Sequence, residues 1–148
     1  MNKEFIRVRS VKDYTIVSLL IVAGAILSTI RDNEPLSITG CFLIVAGVVL
    51  TFFLKTGYKD KETGIRYRKS EWYFQHTMHA PIKAAIETKP ESIDVSQEEK
   101  GNSIKLDVYY SESRGKAYLQ LFEYIPYKYE PCTAVYEHEL SKVKNLIK

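Results

Sequence analysis

Two stretches of this 148-residue chain hold no Asp, Glu, Lys, Arg or His, and that absence decides more than any residue present. They are residues 14–30 (YTIVSLLIVAGAILSTI) and 36–54 (LSITGCFLIVAGVVLTFFL). A helix rises about 1.5 Å per residue and needs roughly 20 apolar residues to cross a hydrocarbon core. Runs of 17 and 19 residues come close to that length. The core helix of a soluble domain keeps a polar stripe for water, and neither run has one. A secretory signal is the rival for the first run, with Lys3, Arg7, Arg9 and Lys12 as its basic flank. The run is longer than a signal's apolar region and a second follows at once, so no cleavage is expected.

Cysteine is scarce: Cys41 lies inside the second run and Cys132 far along the polar part. No C-x-x-C spacing exists, a disulfide between the two phases is implausible, and a lone thiol suits a reducing compartment. Histidine is scarcer than a metal site wants. His76 and His79 are three apart and His138 stands alone, with no matching second pair, so no metal and no cofactor is expected. Cys132 and His138 also lack a third, orienting group, and no phosphate-binding, dinucleotide-binding or nucleophile-elbow motif occurs, so no catalytic residue is assigned.

What is present is an uneven distribution of cations. Residues 1–13 carry Lys3, Arg7, Arg9 and Lys12, and residues 55–69 (KTGYKDKETGIRYRK) carry Lys55, Lys59, Lys61, Arg66, Arg68 and Lys69, a net +4. The loop at 31–35 has one cation, Arg31, beside Asp32 and Glu34. Cation-rich flanks stay in the cytoplasm, so both termini are expected there with the loop outside. The six cations of 55–69 are also candidates for contact with anionic lipid headgroups, each worth about 1 kcal/mol near the surface. Gly24 with Ser28, and Gly47 with Thr51, give each run a small-xxx-small spacing, and the two spacings are expected to pack helix against helix at the same depth. Pro35 suits the first turn of the second helix.

The remaining residues, 70–148, suffice for one small domain. Trp72, Tyr73 and Phe74 favour a strand, and Pro81 followed by IKAAIE a short helix. Ile104, Leu106, Val108 and Tyr110 alternate with polar or aromatic neighbours, SESRGK turns, and AYLQLFEYI returns as the second arm of a hairpin. A shorter strand is expected near Ile93, joined through the polar loop SQEEKGNS. Tyr136, Leu140, Val143 and Ile147 recur at helical intervals, so a closing helix is expected from Thr133.

The fold class that follows is an α+β membrane protein. An antiparallel two-helix transmembrane hairpin precedes a small cytosolic domain with a three- to four-stranded, mainly antiparallel sheet and two helices. Its segments are 1–13 (cytoplasmic), 14–54 (hairpin), 55–69 (basic, beside the bilayer) and 70–148 (cytosolic domain). The layout resembles, in general plan, small bacterial inner-membrane proteins in which a helical hairpin carries a cytosolic module, which implies an integral protein of the inner (plasma) membrane.

Tyrosine is abundant, with seven of the eleven falling between 109 and 136. Amphipathic rings on a proline-punctuated segment suit a protein contact, so Tyr118, Phe122, Tyr124, Tyr127 and Tyr129 are the candidate partner-binding residues. Residues 70–148 hold ten cations and twelve anions, which argues against nucleic acid. The expected function is that of a non-enzymatic, membrane-anchored adaptor or accessory subunit, its partners being the lipid bilayer and a protein or a second copy of the chain. The alternatives are a membrane-tethered enzyme acting on a lipid or small cytosolic substrate through some of His76, His79, Cys132 and His138, or a sensor of anionic lipid.

Overall fold

The computed structural model describes residues 3–30, 32–99 and 103–148, so Arg31 of the expected loop and part of the polar stretch SQEEKGNS lie outside the described residues. The chain divides into two compact units. Arg7–Gly57 forms one; the residues up to Ile6 join Tyr58–Lys148 in the other.

The first unit is a pair of helices, α1 (Val11–Ser28) and α2 (Glu34–Phe53). Helix α1 begins three residues before the uncharged run because Ser10 caps it: the Ser10 hydroxyl accepts from the Asp13 N–H, and the Asp13 carboxylate accepts from the Ser10 N–H. Helix α2 is capped by Asn33, with Pro35 in its first turn where a missing N–H costs nothing. Both helices are long and apolar enough to cross a membrane, and only 11% of each span is buried. Large apolar side chains face outward instead, among them Leu19, Phe42 and Phe53, which is the reverse of a soluble core helix.

The helices touch through glycine. A Cβ added to Gly24 would lie 2.7 Å from the Gly40 carbonyl oxygen, and one added to Gly40 would lie 2.5 Å from the Ser28 nitrogen. A Cβ added to Gly47 would lie 2.7 Å from the Ile21 side chain. The two small-xxx-small spacings therefore do not meet each other. Antiparallel helices bring the late part of α1 against the early part of α2, which places Gly40, not Gly47, opposite Gly24. The Ser28 and Thr51 hydroxyls donate back into their own helices, to Ala25 and Gly47 carbonyls. At the open end of the pair, buried Asp13 also accepts from the Thr56 N–H (2.9 Å) and the Thr56 hydroxyl (2.6 Å), closing the hairpin onto its own start.

The second unit is built on an antiparallel sheet whose first two strands overlap the boundary between the units by one or two residues. Its strands are β1 (Phe5–Val8), β2 (Gly57–Asp60), β3 (Arg66–Phe74), β4 (Ile104–Ser111), β5 (Lys116–Ile125), β6 (Lys128–Pro131) and β7 (Tyr136–Glu139). They run in the order β1-β2-β3-β4-β5-β6, with β7 also on β5. The sheet thus has seven strands among the described residues, not three or four. β4 and β5 pair along their full length, from Ile104 against Glu123 to Ser111 against Lys116. Strand β5 then shares its other edge: β6 covers Phe122 to Ile125 and β7 covers Lys116 to Leu119.

Two expectations are corrected here. No strand forms near Ile93, where short 3-10 turns (Pro90–Ser92 and Val95–Gln97) carry the chain instead. The closing helix from Thr133 is replaced by β7 and a 3-10 helix, Leu140–Leu146. Without β7, the backbone groups of β5 from 116 to 119 would be an unpaired edge, and pairing them outweighs a helical side-chain period. Helix α3 (His79–Thr88) and that 3-10 helix cover one face of the sheet. The core between them includes Phe74, Ile82, Ile86, Ile104, Leu106, Leu119, Leu121, Val143 and Leu146.

Candidate functional site

The opposite face of the sheet is the unusual one. Alternation along paired strands places Tyr67, Lys69, Glu71 and Tyr73 of β3 on it, with Lys105, Asp107 and Tyr109 of β4 and Tyr118, Gln120, Phe122 and Tyr124 of β5. Among the described residues, no helix of the second unit is part of the apolar cluster here. At one end, Phe5 and Tyr58 pack onto buried Tyr67, Tyr109 and Tyr118. Tyr118 is therefore not a surface ring as its composition led one to expect. Its hydroxyl donates to Glu137 (2.9 Å) and accepts from the Lys3 ammonium (2.9 Å).

The middle of the face is ionic. The Lys69 ammonium lies 2.8 Å from Asp107 and is also paired with Glu71, while Lys105 lies 3.3 Å from the other oxygen of Asp107. Burial disfavours the charge on Lys69, but Asp107 and Glu71 hold its pKa above the ordinary value. Burial pushes the Asp107 carboxyl up, against the pull of Lys69 and Lys105. Asp107 Oδ1 faces Lys105 without the geometry of a hydrogen bond. This arrangement neutralises itself.

At the far end the face is aromatic and half-exposed. Tyr73 and Tyr129 meet edge to face at 6.2 Å, and Tyr124 and Tyr129 at 5.2 Å. The Lys105 ammonium sits 4.7 Å from the Phe122 ring and 5.3 Å from that of Tyr129, a cation–π arrangement. Burial pushes the phenols of Tyr73 and Tyr129 above their usual value, so both are neutral hydroxyls in neutral solution.

The turn joining β5 to β6 continues this end of the sheet. Ile125 pairs with Lys128, leaving Pro126 and Tyr127 as a two-residue turn. Tyr127 has φ +75° and is 97% exposed. A positive φ after a proline is the type II pattern, whose third position normally belongs to glycine. A tyrosine there carries backbone strain of about 1–2 kcal/mol and gains no packing in return. No family model, curated protein or solved structure matches this chain.

The remaining sequence candidates separate. His138 Nε2 donates to the Ile86 carbonyl at 2.6 Å, Cys132 Sγ donates to the Leu121 carbonyl at 3.4 Å, and His76 lies exposed, 3.6 Å from Glu123 and stacked on His79. Among the described residues no group of three or more His, Cys, Asp or Glu is placed to hold a metal ion. Of the basic stretch, Lys69 is turned into the sheet, Lys61 pairs with Glu4 and Arg68 with Glu112, and Lys55 and Arg66 are exposed, with Lys59 half-buried. Gly40 and Asp13 are the residues that sequence reasoning missed. Ser10-x-x-Asp13 before an apolar run is a capping-box signature, so Asp13 was findable; Gly40 has no second small residue at the matching spacing and was not.

Proposed function

We propose that the chain is a membrane-anchored adaptor or accessory subunit, held in a bacterial inner membrane by α1 and α2, whose sheet unit contacts a protein partner through the aromatic end of its open face and the Tyr127 turn. The exposure of both apolar helices supports the anchor, because a surface so apolar finds a suitable solvent in lipid. Residues before α1 and residues after α2 fold into one unit, so a spanning hairpin puts both termini on the same side. The cation excess on those flanks supports the cytoplasm as that side.

Tyr127 carries the proposal for the partner. A fully exposed ring held at a glycine's backbone angle costs stability and returns none within the chain, which is the signature of a residue kept for contact. The test is affinity capture of the full chain in mild detergent, read by mass spectrometry against Tyr127→Gly. The expected result is loss of the wild-type partner set in a variant at least as stable as wild type. An unchanged partner set overturns the proposal.

A further inference from the structure

The buried end of the open face is a slot lined by Tyr67, Tyr109 and Tyr118 and filled by the segment that precedes α1. Residues 3–6 lead into and begin β1, with Lys3 and Phe5 half-buried and Glu4 and Ile6 exposed. Phe5 stacks on Tyr109 at 4.0 Å with an interplanar angle of 8°, and meets Tyr67 edge on at 5.4 Å. The Lys3 ammonium donates to Asp60 (3.2 Å) and to the Tyr118 hydroxyl (2.9 Å) and lies 4.0 Å from the centre of the Tyr118 ring. The backbone joins in, the Lys61 N–H donating to the Glu4 carbonyl at 3.0 Å. Main-chain bonding with pockets for alternate side chains is how sheets recognise extended peptides.

The walls are fixed by contacts among themselves. Tyr67 and Tyr118 meet edge to face at 5.6 Å, and Tyr58 and Tyr109 at 5.2 Å. Asp60, fully buried, is held by the Thr63 hydroxyl (2.6 Å) and the Glu62 N–H (3.2 Å), and Glu137 anchors the Tyr118 hydroxyl. A site organised before its ligand arrives loses little free energy to ordering.

We propose that this slot is a separable recognition site for an extended Lys-x-Phe segment, that residues 3–6 are its tethered occupant, and that the same segment binds in trans when the tethered copy is removed. Tethering raises the local concentration of an occupant into the millimolar range, so a free peptide competes poorly against the intact chain. The probe is an acetylated, fluorescein-labelled peptide of residues 3–8 (KEFIRV), titrated by anisotropy onto the full-length chain in detergent. Saturable binding to the double variant K3A/F5A at least about tenfold tighter than to wild type, lost when the peptide's own Phe is replaced by Ala, supports the proposal. Equal binding to both chains, or none to a folded K3A/F5A, overturns it. If K3A/F5A does not fold alone, saturating peptide is expected to restore its thermal transition, and failure to restore it overturns the proposal equally.

Discussion

Tyr127 and Asp60 act on stability in opposite directions, and each makes a measurable claim. At φ +75° a glycine relieves the strain on Tyr127 while adding freedom to the unfolded chain, so Tyr127→Gly is expected to stabilise the sheet unit by about 0.5–1 kcal/mol, read as a rise in thermal midpoint. A fall in midpoint would mean that the ring is held by packing the structure does not show. Asp60 is the opposite case, a carboxylate kept for structure. Burial alone would raise its pKa, but Thr63, the Glu62 N–H and Lys3 hold it below the value of 3.8 that an unfolded Asp has. A depressed carboxyl stabilises the fold fully above its unfolded pKa and loses that contribution as pH falls through the folded one. Wild type is therefore expected to lose thermal midpoint between about pH 5 and about pH 3 more steeply than Asp60→Asn, whose lower baseline lacks that slope. Parallel pH profiles would show that Asp60 does not carry the acid sensitivity.

Between the two helices, the approach at Gly40 is backbone against backbone. A side chain at Gly40 meets the Ser28 nitrogen and the Gly24 carbonyl, neither of which can move without its helix, whereas one at Gly47 meets the flexible Ile21 side chain. Gly40→Val is accordingly expected to lower the dodecyl sulfate fraction at which the hairpin opens in mixed micelles by more than Gly47→Val does; the reverse order would mean the helices cross elsewhere. Asp13→Ala removes three acceptor contacts to Ser10 and Thr56, and since a hydrogen bond to a charged group is worth about 1.5–3 kcal/mol, opening of the same hairpin should become easier by at least about 3 kcal/mol in that titration. How far these elements could be read from the residues depends on length and period. The β4–β5 hairpin was legible because eight alternating residues, a turn and a return leave little choice of register. Strands β1, β2 and β6 have four residues each, too few for alternation to show, and β6 was hidden by prolines that mark its turn and its outer end. The C-terminal stretch was misread because Tyr136, Leu140, Val143 and Ile147 fit a helical stripe, while the shorter signal, inward Tyr136 and His138 alternating with outward Glu137 and Glu139, was the one that the open edge of β5 selected. The tyrosines stood out by composition, but which are surface and which are core depends on where Phe5 inserts, and Phe5 lies more than a hundred residues away from Tyr109 and Tyr118 in the chain.

For the whole molecule, the decisive fact is that the sheet unit draws on both sides of the helix pair. Lys3 and Phe5 precede α1, whereas Asp60, Tyr67, Tyr109 and Tyr118 follow α2, and their side chains interlock in one core. A single helix crossing the bilayer would separate those partners by the hydrocarbon thickness, about 30 Å, which no side chain bridges. The helices must therefore cross together or not at all, and if they cross, the chain ends share a compartment. Alkaline carbonate washing is expected to leave the full chain in the membrane pellet. A cysteine placed at Asn33 should react with an impermeant maleimide added to intact spheroplasts, while cysteines placed at Glu4 and Lys144 should react only after lysis. Release by carbonate would remove the anchor from the proposed function. Labelling of Glu4 and Lys144 from outside would keep the anchor and invert its direction, and labelling of one without the other would contradict the shared core itself.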